Sequence, residues 1–277
     1  VGEPCFGRNQ LLLDLTRKEV RDYIVENVGK TLDSAKISYV KWDMNRHMSD
    51  AYSPALSNQG EFAHRYIIGL YEVLDRVFTP RRHILFESCS SGGNRFDLGM
   101  LCYSPQIWAS DDTDPIERLD IQSGLSYLYP QSTMGAHVSA APHQQTLRDT
   151  PLSTRFNVAA FGVLGYELEL KYMTHAELRE LRGQKEVYKA HRKTFQFGRF
   201  YRFDERKGNK VHWQVSSRDG KEHIVGHFQK LCTASEGPDA LCVHDLEPKA
   251  KYHLSCKRQS LFIKRLGGLV KHVMPVE

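Results

Sequence analysis

Over the first two hundred residues, short β-branched or aromatic runs alternate with stretches of helical period, and polar side chains stand where several of those runs end. Ile37 to Trp42 reads as a strand ending at Asp43. Before it, Val20, Ile24 and Val28 recur at four-residue spacing and predict a helix from about Thr16 to Ala35. Thr16 and Glu19 have the spacing of a capping box, in which each side chain satisfies a free amide of the first turn. Glu61 to Phe78 is again helical, with Phe62, Tyr66, Leu70 and Leu74 along one face, and His83 to Ser88 is the next strand. The series continues with a short helix at Phe96 to Cys102, a strand at Pro105 to Ser110 and a helix at Pro115 to Ser123. A strand at Leu125 to Tyr129, a helix at Leu152 to Val163 and a strand at Leu164 to Leu168 follow. A second capping box, Thr174 to Glu177, opens a long polar helix to about Phe195.

Strands joined by intervening helices run parallel, because the chain must cross back before the next strand starts. A Rossmann-like sheet needs a GxGxxG turn after a strand, and none is present. Gly92-Gly93-Asn94-Arg95 lacks the spacing and the lysine of a phosphate loop. Polar residues at successive strand ends fit instead the rim where a (β/α)8 barrel builds its site. Strand ends near Gly7, Asp43, Cys89, Asp111, Pro130 and Gly165 supply six of the eight that a closed barrel requires, the first strand being cut. The expected fold class is therefore α/β, an incomplete (β/α)8 TIM barrel over residues 1–198. Beyond Arg199 the texture changes to short strands at Phe200 to Phe203, Lys210 to Val215, His223 to Leu231 and Lys251 to Cys256. With the hairpin turn Ser217-Arg218-Asp219-Gly220, these predict a small antiparallel β-domain over residues 199–277.

Charge and cysteine usage exclude several function classes. The net charge of +5 is mild and spread along the chain, apart from short clusters such as Arg81-Arg82-His83, so no nucleic-acid partner is expected. No apolar run approaches the length of a membrane span. The six cysteines, at 5, 89, 102, 232, 242 and 256, form no CxxC pair and no zinc spacing, so no metal is expected. Six thiols in a chain of 277 residues fit a reducing, cytoplasmic compartment. The chain starts at Val1 without a basic-then-apolar leader and inside what reads as an enzyme core, so truncation is expected.

Three segments can carry chemistry. In Tyr39-Val40-Lys41-Trp42-Asp43-Met44-Asn45-Arg46, alternation places Tyr39, Lys41 and Asp43 on one face. Lys41 beside Asp43 favours an ionised carboxylate, as a covalent glycosyl-enzyme mechanism requires, but a Lys–Asp pair that merely supports the barrel gives the same spacing. Asp111, Asp112 and Asp114 lie within four positions after Trp108, and their mutual repulsion tends to keep one of them protonated. Such a carboxyl can protonate a leaving glycosidic oxygen, whereas an Asp-rich turn or helix cap explains the cluster without catalysis. Local chemistry does not choose among the three. Glu87 to Arg95, with Cys89, Gly92 and Gly93, joins another strand end to a loop whose backbone can approach a flat ligand. No histidine is evidently placed to activate Cys89, so a pocket wall is the better reading there. Trp108 offers an apolar face for a sugar ring, or a core aromatic.

Taken together, GRNQLLLDL (Gly7 to Leu15), YVKWDMNRH (Tyr39 to His47), GEFAHRYIIGLYEVLDR (Gly60 to Arg76), ILFESCSSGGNRFDLGML (Ile84 to Leu101), SPQIWASDDTDPIERLDIQSG (Ser104 to Gly124) and MGAHVSA (Met134 to Ala140) resemble glycoside hydrolase family 36, the bacterial α-galactosidases. The resemblance implies a retaining double displacement with Asp43 as nucleophile and Asp111 as general acid/base. It also implies a galactose subsite lined by Arg8, Lys41, Asn45, Cys89, Gly92 and Trp108. The implied substrates are terminal α-1,6-galactosides of the melibiose and raffinose type, with no cofactor and a homo-oligomeric full-length form. A same-fold transglycosylase and a non-catalytic sugar-binding remnant are the alternatives. Ser91 and Asn94 stand where the family usually has Gly, Asp112 where it has Asn and Leu98 where it has Pro, and His143 to Gln145 departs from a usual NHQ. Family members also carry an amino-terminal β-sandwich and two earlier barrel strands, so the fragment alone is expected to be poorly stable and nearly inactive.

Overall fold

The computed structural model describes residues 6–49, 51–204, 208–231, 234–235 and 242–255. Five parallel strands form a half-barrel in sequence order: β1 (Tyr39–Asp43), β2 (Leu85–Cys89), β3 (Gln106–Trp108), β4 (Met134–Ser139) and β5 (Val163–Glu167). Helices α1 (Lys18–Asp33), α2 (Phe62–Phe78), α3 (Leu98–Leu101), α4 (Pro115–Leu125), α5 (Leu152–Ala159) and α6 (His175–Phe197) precede, separate or follow these strands. A second, antiparallel sheet is built from β6 (Arg199–Asp204), β7 (Lys210–Ser216) and β8 (His223–Gln229). The expected incomplete barrel and small antiparallel sheet are thus both present.

Register fixes which side chains look inward. Lys41 pairs with Glu87 and Asp43 with Cys89, Glu87 with Gln106, Trp108 with Gly135, and His137 with Gly165. These residues share one face, because partners in a parallel ladder point the same way. On the opposite face, Trp42, Phe86, Ile107 and Met134 pack against α2, whose Tyr66, Leu70, Leu74, Val77 and Phe78 form one stripe. Phe78 stacks on Phe86 at 4.3 Å between ring centres. A second core joins Ala136 and Val138 of β4 to Phe156, Phe161, Tyr188 and Phe195, and then to Trp213, Val215 and Phe228 of the antiparallel sheet.

Two strand expectations fail, and a third falls outside the described residues. Leu125 to Tyr129 is not a strand: Leu128 and Tyr129 both donate backbone hydrogen bonds to Leu125, continuing the helical turn. Leu125 and Tyr129 face the core while Tyr127 and Leu128 are 63% and 76% exposed, a period of four rather than two. The fourth strand is Met134–Ser139, so no strand ends near Pro130. Around Gly7 the described residues form only a tight turn closed by the Gly7–Gln10 bridge, and residues 1–5, where the preceding strand was expected, lie outside the described ones. Residues 251–255 form no strand either, and Cys256 lies outside the described residues.

The two capping boxes divide. Thr174 forms one, with Glu177 N–H donating to its Oγ1 (3.3 Å) and its own N–H donating to Glu177 Oε2 (2.8 Å). The box at Thr16 does not form, because its hydroxyl bonds Asp14 (2.6 Å) and Glu19 pairs with Arg17.

Candidate active site

Strand β1 delivers three polar side chains to the inner face, and the first two meet Glu87 on β2. Tyr39 donates its hydroxyl to Glu87 Oε2. The Lys41 ammonium lies 3.6 Å from Glu87 Oε1 and 4.4 Å from the centre of the Trp108 ring. Asp43 closes the strand, and Asn45 Nδ2 donates to its Oδ2 at 2.7 Å. Ser91 in turn donates to Asn45 Oδ1 at 3.0 Å.

Cys89, opposite Asp43, is 3% exposed. Burial pushes its thiol up to about 11, against a hydrogen bond with the Gly92 backbone, and contact with the Asp43 carboxylate pushes the same way as burial. A thiol so held stays protonated and is no nucleophile. Beyond Cys89 the loop turns through Ser91 (φ 51) and Gly92 (φ 87). A Cβ on Gly92 would come within 3.0 Å of the Ser110 Cα and 3.3 Å of the Asp111 nitrogen. Glycine there lets the loop after β2 sit directly on the loop after β3.

The loop after β3 separates its three acids by role. Asp114 is fully buried and caps α4 by accepting from Ile116 N–H at 2.8 Å. Burial opposes its ionisation, but Thr146, Arg148 and that amide outweigh it and hold the carboxyl below the usual range. Asp112 accepts from the Asp114 N–H at 3.0 Å. Asp111 alone is exposed, and the Trp108 indole N–H donates to its Oδ1 at 2.8 Å. Arg118, 2% exposed, clamps the loop from below by donating to the carbonyls of Ser110, Asp112 (2.6 Å) and Gly135 (3.0 Å). Burial draws its guanidinium down to about 10, so it remains charged at neutral pH.

The strand ends therefore bring together Lys41, Asp43, Asn45, Cys89, Gly92, Trp108 and Asp111. Among the described residues Arg8 makes no hydrogen bond or ion pair with them; it is exposed at φ 54 in the Gly7–Gln10 turn, which Arg46 pins by donating to Gln10 O at 3.1 Å. Trp108 is 3% exposed, covered by Lys41, by Arg118 at 4.7 Å and by His137 at 4.3 Å. Little of its ring is open, and its polar edge serves Asp111.

Four inner residues escape the sequence reading as site residues: Glu87, Arg118, His137 and Glu167. His137 Nδ1 lies 2.6 Å from Glu167 Oε1, and that hydrogen bond holds the Glu167 carboxyl below its usual range despite burial. Glu87, 2% exposed, is pushed up to about 7 by burial and then by the charge on Glu167. Glu87 was legible, standing two residues before Cys89 on the same face; His137 was hidden by the misplaced fourth strand. Among the described residues no three His, Cys, Asp or Glu side chains are grouped to hold a metal. Cavities of about 400 and 330 Å³ lie elsewhere, the first beside Leu32, Ile37 and His83 and the second between Asp120, Tyr127 and Val211.

Residues 2–198 match the family model for melibiase, and residues 210–269 match that of the glycosyl hydrolase family 36 C-terminal domain. The chain belongs to glycoside hydrolase family 36. Among its family 36 relatives, α-galactosidase AgaA of Geobacillus stearothermophilus is 47% identical over 251 residues, covering 90% of this chain and 34% of that protein. Mel36A of Lactobacillus acidophilus is 46% identical over 258 residues, with the same coverage. The crystal structure of AgaA superposes with a TM-score of 0.84 over 87% of this chain and 34% of its own. Solved structures of AgaA variants hold raffinose or stachyose. The chain thus spans about a third of the length of these family 36 relatives.

Proposed function

We propose that this chain supplies the nucleophile and the general acid/base of a retaining α-galactosidase acting on terminal α-1,6-linked galactose in melibiose- and raffinose-type oligosaccharides. The observation that carries this reading is the placement of Asp43 and Asp111 at the same end of two strands that flank β2. Two inter-strand spacings, about 10 Å, separate those strands. Two aspartyl side chains reaching inward can close that span to the roughly 5 Å that a double displacement uses.

In the first step the Asp43 carboxylate attacks the anomeric carbon while Asp111 gives its proton to the leaving oxygen. The Asn45 amide fixes one Asp43 oxygen and leaves the other for attack. In the second step the Asp111 carboxylate takes a proton from water, which attacks the anomeric carbon of the galactosyl ester from the opposite side and expels the Asp43 carboxylate. Two inversions return the α configuration. Lys41 adds a positive charge beside the sugar, Cys89 an apolar wall with a neutral S–H, and Gly92 a bare backbone; Arg8 is assigned to the rim of the same subsite.

The test uses a full-length version completed to the span of its relatives. Asp43→Ala should abolish turnover of raffinose. Asp111→Ala should lose far more on raffinose than on an aryl galactoside whose leaving group needs little protonation. Nuclear magnetic resonance of the first product should show α-galactose, and β-galactose as first product would remove the retaining mechanism.

A further inference from the structure

We infer that His143, on the loop after β4, is a positioning residue that holds the Asp111 loop in place through Thr113. This rests on the reading of Asp111 as general acid/base. His143 is 4% exposed, and its two ring nitrogens do different work. The backbone N–H groups of Gln145 and Thr146 both point at Nδ1, each at 3.3 Å. Both are donors, so Nδ1 is the bare nitrogen and the ring proton sits on Nε2. That proton is aimed at Thr113 Oγ1, 3.0 Å away. The histidine's own backbone closes the turn, its N–H donating to Arg148 O (2.9 Å) and its carbonyl accepting from Leu147 N–H (2.8 Å).

The turn so built reaches the acid loop at three successive residues. His143 meets Thr113, and its Nε2 lies 3.9 Å from Asp112 Oδ1. Thr146 donates to Asp114, and Arg148 lies 2.6 Å from the same carboxylate. With Arg118 holding the Ser110 and Asp112 carbonyls, every residue of 110–114 except Asp111 is fastened to the body of the protein. Asp111 projects from this frame, its carboxyl accepting, among the described residues, from the Trp108 indole. Asp112 and His143, from the loops after β3 and β4, thus meet in space.

A residue that merely filled space would affect all substrates alike. One that aims a proton donor matters most where the leaving group needs the proton. In the full-length version, His143→Leu is expected to lower kcat/KM for raffinose at least about tenfold, and for an aryl galactoside with a good leaving group no more than about threefold. His143→Asn, whose Oδ1 takes the place of Nδ1, should recover part of the loss by rebuilding the turn. Thr113→Val, which keeps shape and removes the hydroxyl, should show the same split between substrates; it guards against a His143→Leu protein that does not fold. The two changes combined should cost little more than either alone, because both cut one contact. Equal losses on both substrates, or additive losses in the double variant, overturn the proposal. Asp111→Ala run alongside tells the two readings apart. If it shows no split, the acid/base assignment falls and takes this one with it. If it shows the split while Thr113→Val does not, only the role of His143 falls.

Discussion

Glu87 has one carboxylate oxygen against the Tyr39 hydroxyl and the other 3.6 Å from the Lys41 ammonium, with Glu167 adding negative charge from β5. Its carboxyl, raised from 4.5 to about 7, binds a proton more tightly in the folded chain than in the unfolded one. The folded state is therefore favoured most at low pH, and its stability declines as pH rises from about 4.5 to about 7, levelling off above that. Glu87→Gln cannot ionise and lacks this slope. Between pH 5 and pH 8 the variant should gain on the parent by up to about 3 kcal/mol. Urea midpoints of the full-length pair at both pH values check it, and a difference that does not change with pH removes the assignment. Alternation with Cys89 gave the face of Glu87 in the sequence, but not its burial. Its depth follows from the register with Lys41 and Gln106, which only the assembled sheet sets. The reverse holds for Asp43 and Lys41: their shared face follows from alternation within one short strand, a local property.

Whether an element was legible depended on how much of its signal was local. The helix at Phe62–Phe78 carries its apolar stripe in full, and its limits were read to within a residue. Leu125 to Tyr129 satisfies both a two-residue and a four-residue period over five positions, and the preceding helix decided between them. The two Thr-x-x-Glu boxes are alike as text, yet Arg17 and Asp14 compete for the first one. Packing between elements makes its own prediction. Trp213 of β7 is 1% exposed, lies 5.3 Å from the Phe161 ring centre, and donates its indole N–H to Ser123 at 3.0 Å. Trp213→Ala should cost about 3–5 kcal/mol by leaving a cavity, and Ser123→Ala only about 1 kcal/mol. Urea unfolding of the full-length variants measures both. Similar small losses would show that the sheet contributes little to the second core.

At the scale of the whole molecule, the five-stranded sheet runs from β1 to β5 without closing among the described residues. Tyr39, on the edge strand β1, is 44% exposed, and the Lys41 side chain on the same strand is 34% exposed. A site assembled on such a surface leaves Asp43 in water, where its charge and its substrate contacts are weakened. Residues 1–277 on their own should therefore hydrolyse melibiose at less than about a thousandth of the rate of the full-length version. Comparable rates from the purified chain would show that these strands suffice. The second core has a different consequence. Phe161 and Phe195, from the barrel side, meet Trp213 and Phe228 in a single interlocked cluster, so the carboxyl-terminal sheet is no detachable appendage. A chimera that grafts a foreign tail after α6 inherits an indole-sized socket, and only a replacement bringing its own plug will fit.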